Sequence, residues 1–537
     1  MKQLIILITS FFFIASASFA QKKLQGKVVD AANGNVLANA TITFGSKSGS
    51  VTSNDGAFSI DCGKTNKIMV SHVGYETKTV FIKNCDEALT ISLTPAAGTL
   101  GEVEVTATSS QNKSLLYQPS SITKLSPVEL KRGSGLFLDD AIQTNVTGVT
   151  MNRRSVAGGQ QFNIRGYGNG VRGRNGASSN FDGQGYKLYL NGIAITDAEG
   201  ITTFDDIDFA SIGNVEVAKG PAGVLYGLAI AGAVNMSTVK AEKGKTSVSQ
   251  EVMLGSYGLQ RYTTSLSMGK DHSSILLNYG KQKTDGYSWH NGSEKDFVNF
   301  IGDFTPNNKQ SVTTYAGYSK SYDERIGELT LQQWQNNDYS GNVDYIRRNA
   351  HSAVRTFRLG VGHTYNFTNN INNSTTAFGT GFQSDASSAG GWTDKTTTNF
   401  GARSVFNTKF NLKNSVTLSG VTGIEAQVQN AQVVGYNMVK SPYDTSVNST
   451  ASYITVNSYK NGIYPYWVIN AVTSNIAYTS KTSSLFTQWT LGLPHDFSIT
   501  AGLGSSNMNL ELNDRFNSPA TATRSNFYKK KYSNMVS

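Results

Sequence analysis

The sequence predicts a mainly β chain: an N-terminal β-sandwich, a small α/β domain and an antiparallel transmembrane β-barrel. Three observations predict it. The 537 residues include 53 Gly, 26 Phe and 25 Tyr but 9 Pro, and only 16% are charged. That is too apolar and aromatic for a disordered chain and too polar for a bundle of membrane helices. Apolar residues alternate with polar ones at period two along the second half of the chain, the mark of strands with two unlike faces. Beyond the N-terminus no run of ~18 apolar residues occurs, so any bilayer-spanning part must be a closed barrel. Two Cys exclude a disulfide-dense scaffold and a Cys-rich metal protein. The net charge of +10 admits nucleic acid, anionic lipid or an anionic ligand as partner and chooses none.

Residues 1–20 carry an export signal. Lys2 supplies a positive start, Leu4 to Ile14 are almost wholly apolar, and Ser18-Phe19-Ala20 is a small-x-small cleavage site. The apolar run is too short to span a bilayer comfortably, so it reads as a removed signal peptide rather than an anchor. No Cys stands at the cleavage point to take a lipid.

Residues 22–95 read as the sandwich, with alternation in Ala40-Ile42-Phe44, Phe58-Ile60, Ile68-Val70 and Leu89-Ile91-Leu93 and a turn at Asn54-Asp55-Gly56. The stretches Gly26-Lys27-Val28-Val29-Asp30, Ala38-Asn39-Ala40-Thr41-Ile42, Thr52 to Phe58 and Ser71-His72-Val73-Gly74-Tyr75-Glu76 resemble a carboxypeptidase-regulatory-like domain. In that family the domain is non-catalytic and often precedes outer-membrane receptors. Cys62 and Cys85 flank its central strands, and either one disulfide or two buried thiols fits.

Residues 96–110 form a linker containing Leu100-Gly101-Glu102-Val103-Glu104-Val105-Thr106, a short extended segment with no evident sheet of its own. Its position resembles the coupling "TonB box" of TonB-dependent receptors. The resemblance implies a periplasmic partner, a TonB-type energy-transducing protein, met by adding a strand to that partner's sheet edge.

Residues 111–240 contain four blocks. A short helix and turn run from Leu138 to Val149; then come Phe162-Asn163-Ile164-Arg165-Gly166 and Leu188-Tyr189-Leu190-Asn191-Gly192. The fourth runs from Ile212 through Glu216, Lys219-Gly220-Pro221 and Tyr226-Gly227 to Met236. In order and spacing they resemble the plug domain of TonB-dependent receptors. That family usually has Arg where Lys219 stands and Asp where Asn191 stands. Gly166, Gly220 and Gly227 suit tight turns in a confined space. Arg165, if buried, needs a carboxylate or carbonyl partner, so plug-to-barrel anchoring competes with ligand contact for Arg165 and Lys219.

Residues 241–537 carry the strands. Tyr262, Thr264, Leu266 and Met268 oppose Thr263, Ser265 and Ser267. Phe357, Leu359, Val361, Tyr365 and Phe367 oppose Arg358, Gly360, Gly362, Thr364 and Asn366. Val416, Leu418, Ile424, Ala426 and Val428 share a face, as do Phe497, Ile499, Ala501 and Leu503, and Pro494-His495-Asp496 marks a tight turn. The pattern fits a transmembrane barrel, although taken alone it also fits a soluble sandwich.

No enzyme emerges. Gly168 to Gly173 matches GxGxxG by letter, but a loop and not a helix follows. Ser110 to Lys113 matches SxxK without its partner motifs. The six His are scattered, and residues 101–240 hold neither His nor Cys, so a transition metal would arrive only inside a chelate. No cofactor is expected. From Arg153 to Lys187 the cations Arg153, Arg154, Arg165, Arg172, Arg174 and Lys187 face the single acid Asp182, with Tyr167, Phe181 and Tyr186 among them. Tyr167, Arg172, Arg174, Phe181 and Tyr186 are therefore candidate contacts for a polyanionic or aromatic chelate such as a ferric siderophore. A solvated loop facing lipopolysaccharide or barrel acids is the alternative. Nucleic acid is not an expected partner, since an exported barrel has little access to it. Asp197, Glu199, Asp205, Asp206 and Asp208 form an acidic cluster suited to a hard cation or to salt bridges.

The expectation is thus a TonB-dependent receptor of a Gram-negative-type outer membrane, in contact with outer-membrane lipid and importing a ferric chelate. Oligosaccharide, corrinoid or peptide uptake and a non-transporting adhesin are the alternatives. Members of this family resemble 22-stranded plugged barrels. Residues 241–537 would allow each of 22 strands about 13 residues, against ~9–11 for the crossing alone, and Tyr322 to Ser352 is one long connection. About 10–12 strands are expected. With an end at Asn534-Met535-Val536-Ser537 rather than an aromatic residue, a truncated chain is expected.

Overall fold

The structure is a computed structural model. It describes residues 23–31, 34–44, 48–61, 67–72, 75, 77–82, 88–94, 104–105, 113–114, 121–130, 138–153, 155, 159–168, 185–220, 222–413, 416–441, 467–495, 497–517 and 527–536. The chain divides into two compact units, 1–104 and 105–537.

The first unit holds β1 (Lys23–Asp30), β2 (Thr41–Phe44), β3 (Ser48–Val51), β4 (Ala57–Asp61), β5 (Lys67–Ser71), β6 (Lys78–Phe81) and β7 (Leu89–Leu93). They make a three-stranded sheet, β4-β1-β7, and a four-stranded one, β3-β2-β5-β6. Ile42, Phe58, Ile60, Ile68, Val70, Ile91 and Leu93, the residues picked out by alternation, are buried together with Leu24 and Val28. β1, β4, β5 and β7 bury every second side chain, which is what a sandwich of two half-wet sheets requires. Cys62 and Cys85 lie outside the described residues.

The short strands β8 (Glu104–Val105) and β9 (Lys113–Ser114) pair with each other. The described part of the coupling segment is therefore paired with the chain that follows it, where no sheet was evident in sequence. An extended backbone left with open N–H and C=O groups takes the nearest extended partner.

A small α/β domain follows. Its strands are β10 (Ser121–Leu125), β11 (Val149–Asn152), β12 (Gln161–Ile164), β13 (Tyr186–Leu190), β14 (Ile193–Ala194), β15 (Ile212–Lys219) and β16 (Gly232–Thr238). Helices α1 (Pro127–Leu130), α2 (Leu138–Asn145) and α3 (Gly223–Tyr226) accompany them. The main sheet runs β10-β15-β16-β13-β14, with β11 and β12 as a separate pair. β13 is buried on both faces: Lys187 and Tyr189 reach Glu425 of the wall, while Tyr186 packs on Phe162 of β12. Asn191 and Gly192 turn β13 into β14 with φ of 50° and 79°, both left-handed, as an Asn-Gly hairpin turn demands.

Twelve strands then form one antiparallel sheet in strict sequence order. They are β17 (Thr246–Leu254), β18 (Gln260–Lys270), β19 (Ser273–Thr284), β20 (Ser293–Asn307), β21 (Gln310–Glu324), β22 (His351–Thr368), β23 (Ile371–Ser388), β24 (Gly391–Asn411), β25 (Thr417–Lys440), β26 (Trp467–Gly492), β27 (Ser498–Asp514) and β28 (Phe527–Val536). That is the upper end of the expected 10–12. The long connection between β21 and β22 carries α4 (Leu331–Gln335) and α5 (Val343–Arg347).

The faces of this sheet decide between sandwich and barrel. Phe357, Leu359, Val361, Ile424, Leu485, Ile499 and Leu503 point outward, each about half exposed or more, while Asn278, Asn299, Thr356, Arg358, Glu425, Gln429 and Ser480 are buried. A soluble sandwich would bury the first set and wet the second. Apolar outside and polar inside is the arrangement of a wall that meets lipid. Connections β18–β19, β20–β21 and β22–β23 are two-residue turns, whereas β19–β20 and β21–β22, at the opposite end, are longer loops. Short turns mark the periplasmic end and long loops the extracellular one. Outward Phe367 and Phe406, stacked 6.3 Å apart, belong to an aromatic belt at the short-turn end.

Candidate functional site: the interface between plug and barrel wall

The plug presents its charged loop, Thr196 to Ser211, to the inner face of the wall. Arg358 on β22 grips the Asp206 carboxylate through Nε at 2.9 Å and Nη2 at 3.1 Å, and also donates to the carbonyl of Thr203 and to Thr380 Oγ1. Arg261 on β18 donates to both oxygens of Asp208, at 2.8 and 2.9 Å. Tyr478 on β26 donates to Glu199 at 2.9 Å, and Lys395 stands 3.8 Å from it. Backbone groups are matched too: Ser480 donates to the Ala198 carbonyl and Asn299 to that of Asp206. Of the two roles open to the acidic cluster, the geometry takes salt bridging for Asp206 and Asp208. Asp205 instead accepts from the backbone N–H of Gly159. Among the described residues no group of three or more His, Cys, Asp or Glu is arranged to hold a metal.

A second knot centres on Glu425 of β25. It accepts from Lys187 Nζ at 2.6 Å, Tyr189 Oη at 2.8 Å, Arg403 Nη1 at 2.9 Å and Gln427 Nε2 at 3.1 Å. Arg403 of β24 also donates to the Leu225 carbonyl of α3, and its guanidinium lies 4.5 Å from the Phe486 ring centroid, 5.2 Å from Tyr189 and 5.3 Å from Tyr226. One buried carboxylate thus answers two cations and a phenol, as buried charges must be answered. Burial, followed by the Glu425 charge, holds the Tyr189 phenol well above its ordinary range. Beside the knot a cavity of about 450 Å³ is lined by Tyr189, Asn214, Glu216, Tyr226, Asn235 and Arg403 among others. Gly227 lets α3 approach the wall: a Cβ there would sit 2.5 Å from Ser484 Oγ and 2.9 Å from Ser506 Oγ.

The residues singled out from sequence fall into distinct places. Asn191 is clamped reciprocally to Thr238, its Nδ2 donating to Oγ1 and its Oδ1 accepting from the Thr238 N–H. An Asp there would keep both contacts, with the Thr238 hydroxyl turning to donate to the second carboxylate oxygen. Glu216 pairs with Lys124 at 3.4 Å, and Tyr226 accepts from Asn235. Lys219 donates to the Thr147 carbonyl at 3.1 Å and to Thr123. Partial burial and the neighbouring Arg165 charge lower its pKa. Arg165 is exposed, at φ 50° in the turn after β12, so it is not the buried cation that would require an acid of the plug or wall. Gly166 and Gly220 sit at φ 92° and 111°.

Tyr186 is corrected outright. It lies in the plug core, 2% exposed, edge-on to Phe162, because it opens β13 rather than closing the loop before it. Lys187 leaves the list of loop cations for the same reason, and Arg153 lies 3.6 Å from Asp139. Tyr167 is exposed. Arg172, Arg174, Phe181, Pro221, Leu100, Glu102, Val103 and Thr106 lie outside the described residues. Sequence reasoning missed Glu425, Arg403 and Arg261, and saw Arg358 only as part of a polar face. The usable signal was a lone charge between lipid-facing apolar neighbours, as in Phe357-Arg358-Leu359 and Ile424-Glu425-Ala426.

Comparison with known proteins agrees with this geometry. Residues 114–234 match the TonB-dependent Receptor Plug Domain model, and residues 24–105 match the CarboxypepD_reg-like domain model. The TonB-dependent receptor SusC of Bacteroides thetaiotaomicron is 25% identical over 231 residues, 42% of this chain and 22% of that protein. The TonB-dependent receptor P26 of Formosa agariphila is 27% identical over 245 residues, 44% of this chain and 23% of that protein. The chain thus matches less than a quarter of the length of these relatives. Among solved structures, the ferric preacinetobactin receptor BauA of Acinetobacter baumannii superposes with a TM-score of 0.58 at 14% identity, covering 81% of this chain and 63% of that one. The siderophore receptor PiuA of the same organism gives 0.59 at 16%, covering 81% and 64%. At such identities the likeness is one of fold.

Proposed function

We propose that the chain is a TonB-dependent receptor of the outer membrane, not an enzyme, and that it performs energy-coupled uptake of a ligand too large to diffuse through a pore. The observation that carries the proposal is the knot at Glu425, with the Arg358 and Arg261 pairs beside it. The wall holds the plug through charged hydrogen bonds that water can replace, set beside an apolar contact in which Leu276, Ile301, Phe378, Val421 and Phe486 join the plug core. Such a contact holds the plug at rest and lets it yield without unfolding the wall.

In this reading a ligand bound at the extracellular loops shifts the plug's ensemble and frees the segment around residues 100–107. A TonB-type protein pairs with that segment by strand addition, and inner-membrane energy displaces the plug enough for passage. The extended backbone at Glu104 and Val105 suits strand addition. Deleting residues 100–107 is expected to abolish uptake while ligand binding persists; uptake that survives the deletion sinks the coupling assignment. Dissipating the proton gradient separates a transporter from a non-transporting surface protein, which would be indifferent to it.

A ferric chelate is one candidate cargo, since the structural neighbours BauA and PiuA are a ferric preacinetobactin receptor and a siderophore receptor. Among the described residues Tyr167 remains as its exposed contact, since Tyr186 and Lys187 are buried. A neutral oligosaccharide is the second reading, and a feature of the extracellular rim favours it.

A further inference from the structure

Three extracellular connections bring aromatic rings together. Tyr257 is at the tip of the β17–β18 hairpin, Tyr287 lies between β19 and β20, and Trp334 and Tyr339 lie on and after α4. Their centroids follow one another at 6.4 Å (Tyr257–Tyr287), 6.1 Å (Tyr287–Tyr339) and 6.4 Å (Tyr339–Trp334), each pair edge-to-face. Tyr257, Tyr287 and Trp334 remain 63%, 59% and 62% exposed. The row is held in place from beneath. The Tyr257 carbonyl accepts from the Asp285 N–H and from Thr284 Oγ1, both at 2.9 Å, and Ser288 Oγ donates to the Tyr339 carbonyl. A capping box between Thr330 and Gln333 fixes the start of α4.

The chemistry around the rings is selective. Gln332, Gln335, Asn336 and Asn337 are exposed beside Trp334. Segments 255–259, 285–292 and 326–342 contain no Lys or Arg, and hold the acids Asp285, Glu328 and Asp338. The three ring-bearing segments therefore lack the cations that an anionic chelate, a phosphate or an acidic polymer would need, and Arg325, Arg347 and Arg348 of the same β21–β22 connection lie outside them. It does offer flat ring faces and amides that both donate and accept, the two complements of a sugar's C–H face and hydroxyls. The rings stand on loops beyond the strand ends, not on lipid-facing strand positions.

We propose that Tyr257, Tyr287, Trp334 and Tyr339, with the amides of α4, form a binding platform for a neutral, hydroxyl-rich oligosaccharide. The proposal rests on the receptor reading and names its substrate class. The test uses the full-length receptor purified from its outer membrane, titrated with neutral glucan, mannan, xylan and galactan oligosaccharides of six to eight units and, separately, with ferric citrate. At least one oligosaccharide is expected to bind, more than tenfold more weakly in the Tyr287→Ala/Trp334→Ala variant. Binding should weaken severalfold in Gln335→Ala/Asn336→Ala, which changes only exposed side chains and so keeps the test valid if the aromatic variant fails to assemble. The platform is overturned if no oligosaccharide binds, if binding is unchanged in both variants, or if ferric citrate is the ligand whose binding is lost. Proton-gradient-dependent uptake of ferric citrate in the absence of any sugar binding would overturn the platform alone. Sugar binding without gradient-dependent uptake would support the platform and overturn the receptor reading instead.

Discussion

Lys187 of the plug and Glu425 of the barrel wall, 238 positions apart in the chain, meet at 2.6 Å with Nζ donating to Oε1. The same carboxylate answers Arg403 at 2.9 Å. Its removal would therefore strand two buried cations rather than one. Glu425→Ala is expected to loosen the plug by about 3–5 kcal/mol, the usual consequence of breaking a buried pair from one side. Glu425→Gln keeps an acceptor and should cost less. Hydrogen exchange of plug amides in the intact receptor measures both, and equal protection in Glu425→Ala and wild type would remove the knot from the gating argument.

Arg358 and Asp206 give a test of pairing as distinct from packing. Arg358→Met alone leaves Asp206 buried without its fork of donors, and Asp206→Asn alone leaves a buried guanidinium. The double variant removes both charges, so the two effects should fall short of additive by about 2 kcal/mol. A double-mutant cycle on plug stability checks this; additivity within about 0.5 kcal/mol would mean that the bidentate contact contributes geometry but little energy.

Most of the architecture was legible because it depends on local signals. Period-two alternation located the sandwich core from Ile42 to Leu93 and the outward row Phe357, Leu359 and Val361, and Asn191-Gly192 announced its own turn. Which face of the wall met lipid was legible only with the plug motifs, since alternation is the same in a sandwich. The site was less legible. Lys187 and Tyr186 adjoin a polar, Gly-rich loop in sequence, and composition counted them with it. The chain enters β13 at Tyr186, and that single boundary moves both side chains from the mouth into the interior. Glu425 and Arg403 carry no local mark of partnership with the plug, because the contact forms across about two hundred residues.

Asp197 gives the plug a pH dependence. Burial first, then the neighbouring Glu199 charge, pushes its carboxyl up to about 7. The folded state thus holds a proton that the unfolded chain releases near its ordinary value of 3.8. Asp197 therefore costs nothing below that value, and plug stability should fall as pH rises from about 4 through about 7. Asp197→Asn keeps the acceptor oxygen that receives the N–H groups of Glu199 and Ile201 and removes the titration. Its stability should exceed that of wild type above pH 7 and vary less between pH 4 and 7. Identical pH profiles for the two proteins would show that Asp197 is not the titrating group.

Leu359 and Arg358 are adjacent on β22 and face opposite ways: Leu359 is 48% exposed on the outer face and Arg358 only 2% on the inner one. A cation is already tolerated at one position because Asp206 receives it. At the next, the same cation would meet hydrocarbon. Leu359→Arg is expected to lower barrel stability by about 2–4 kcal/mol if the position lies near the bilayer midplane. Leu359→Phe should be nearly neutral, since aromatic and aliphatic side chains already share that face. Urea unfolding in lipid vesicles, together with the yield of folded receptor in the outer membrane, reads the difference. If Leu359→Arg folded as well as Leu359→Phe, this face of β22 would be meeting water rather than lipid, and the inside-out assignment of the wall would have to be reversed.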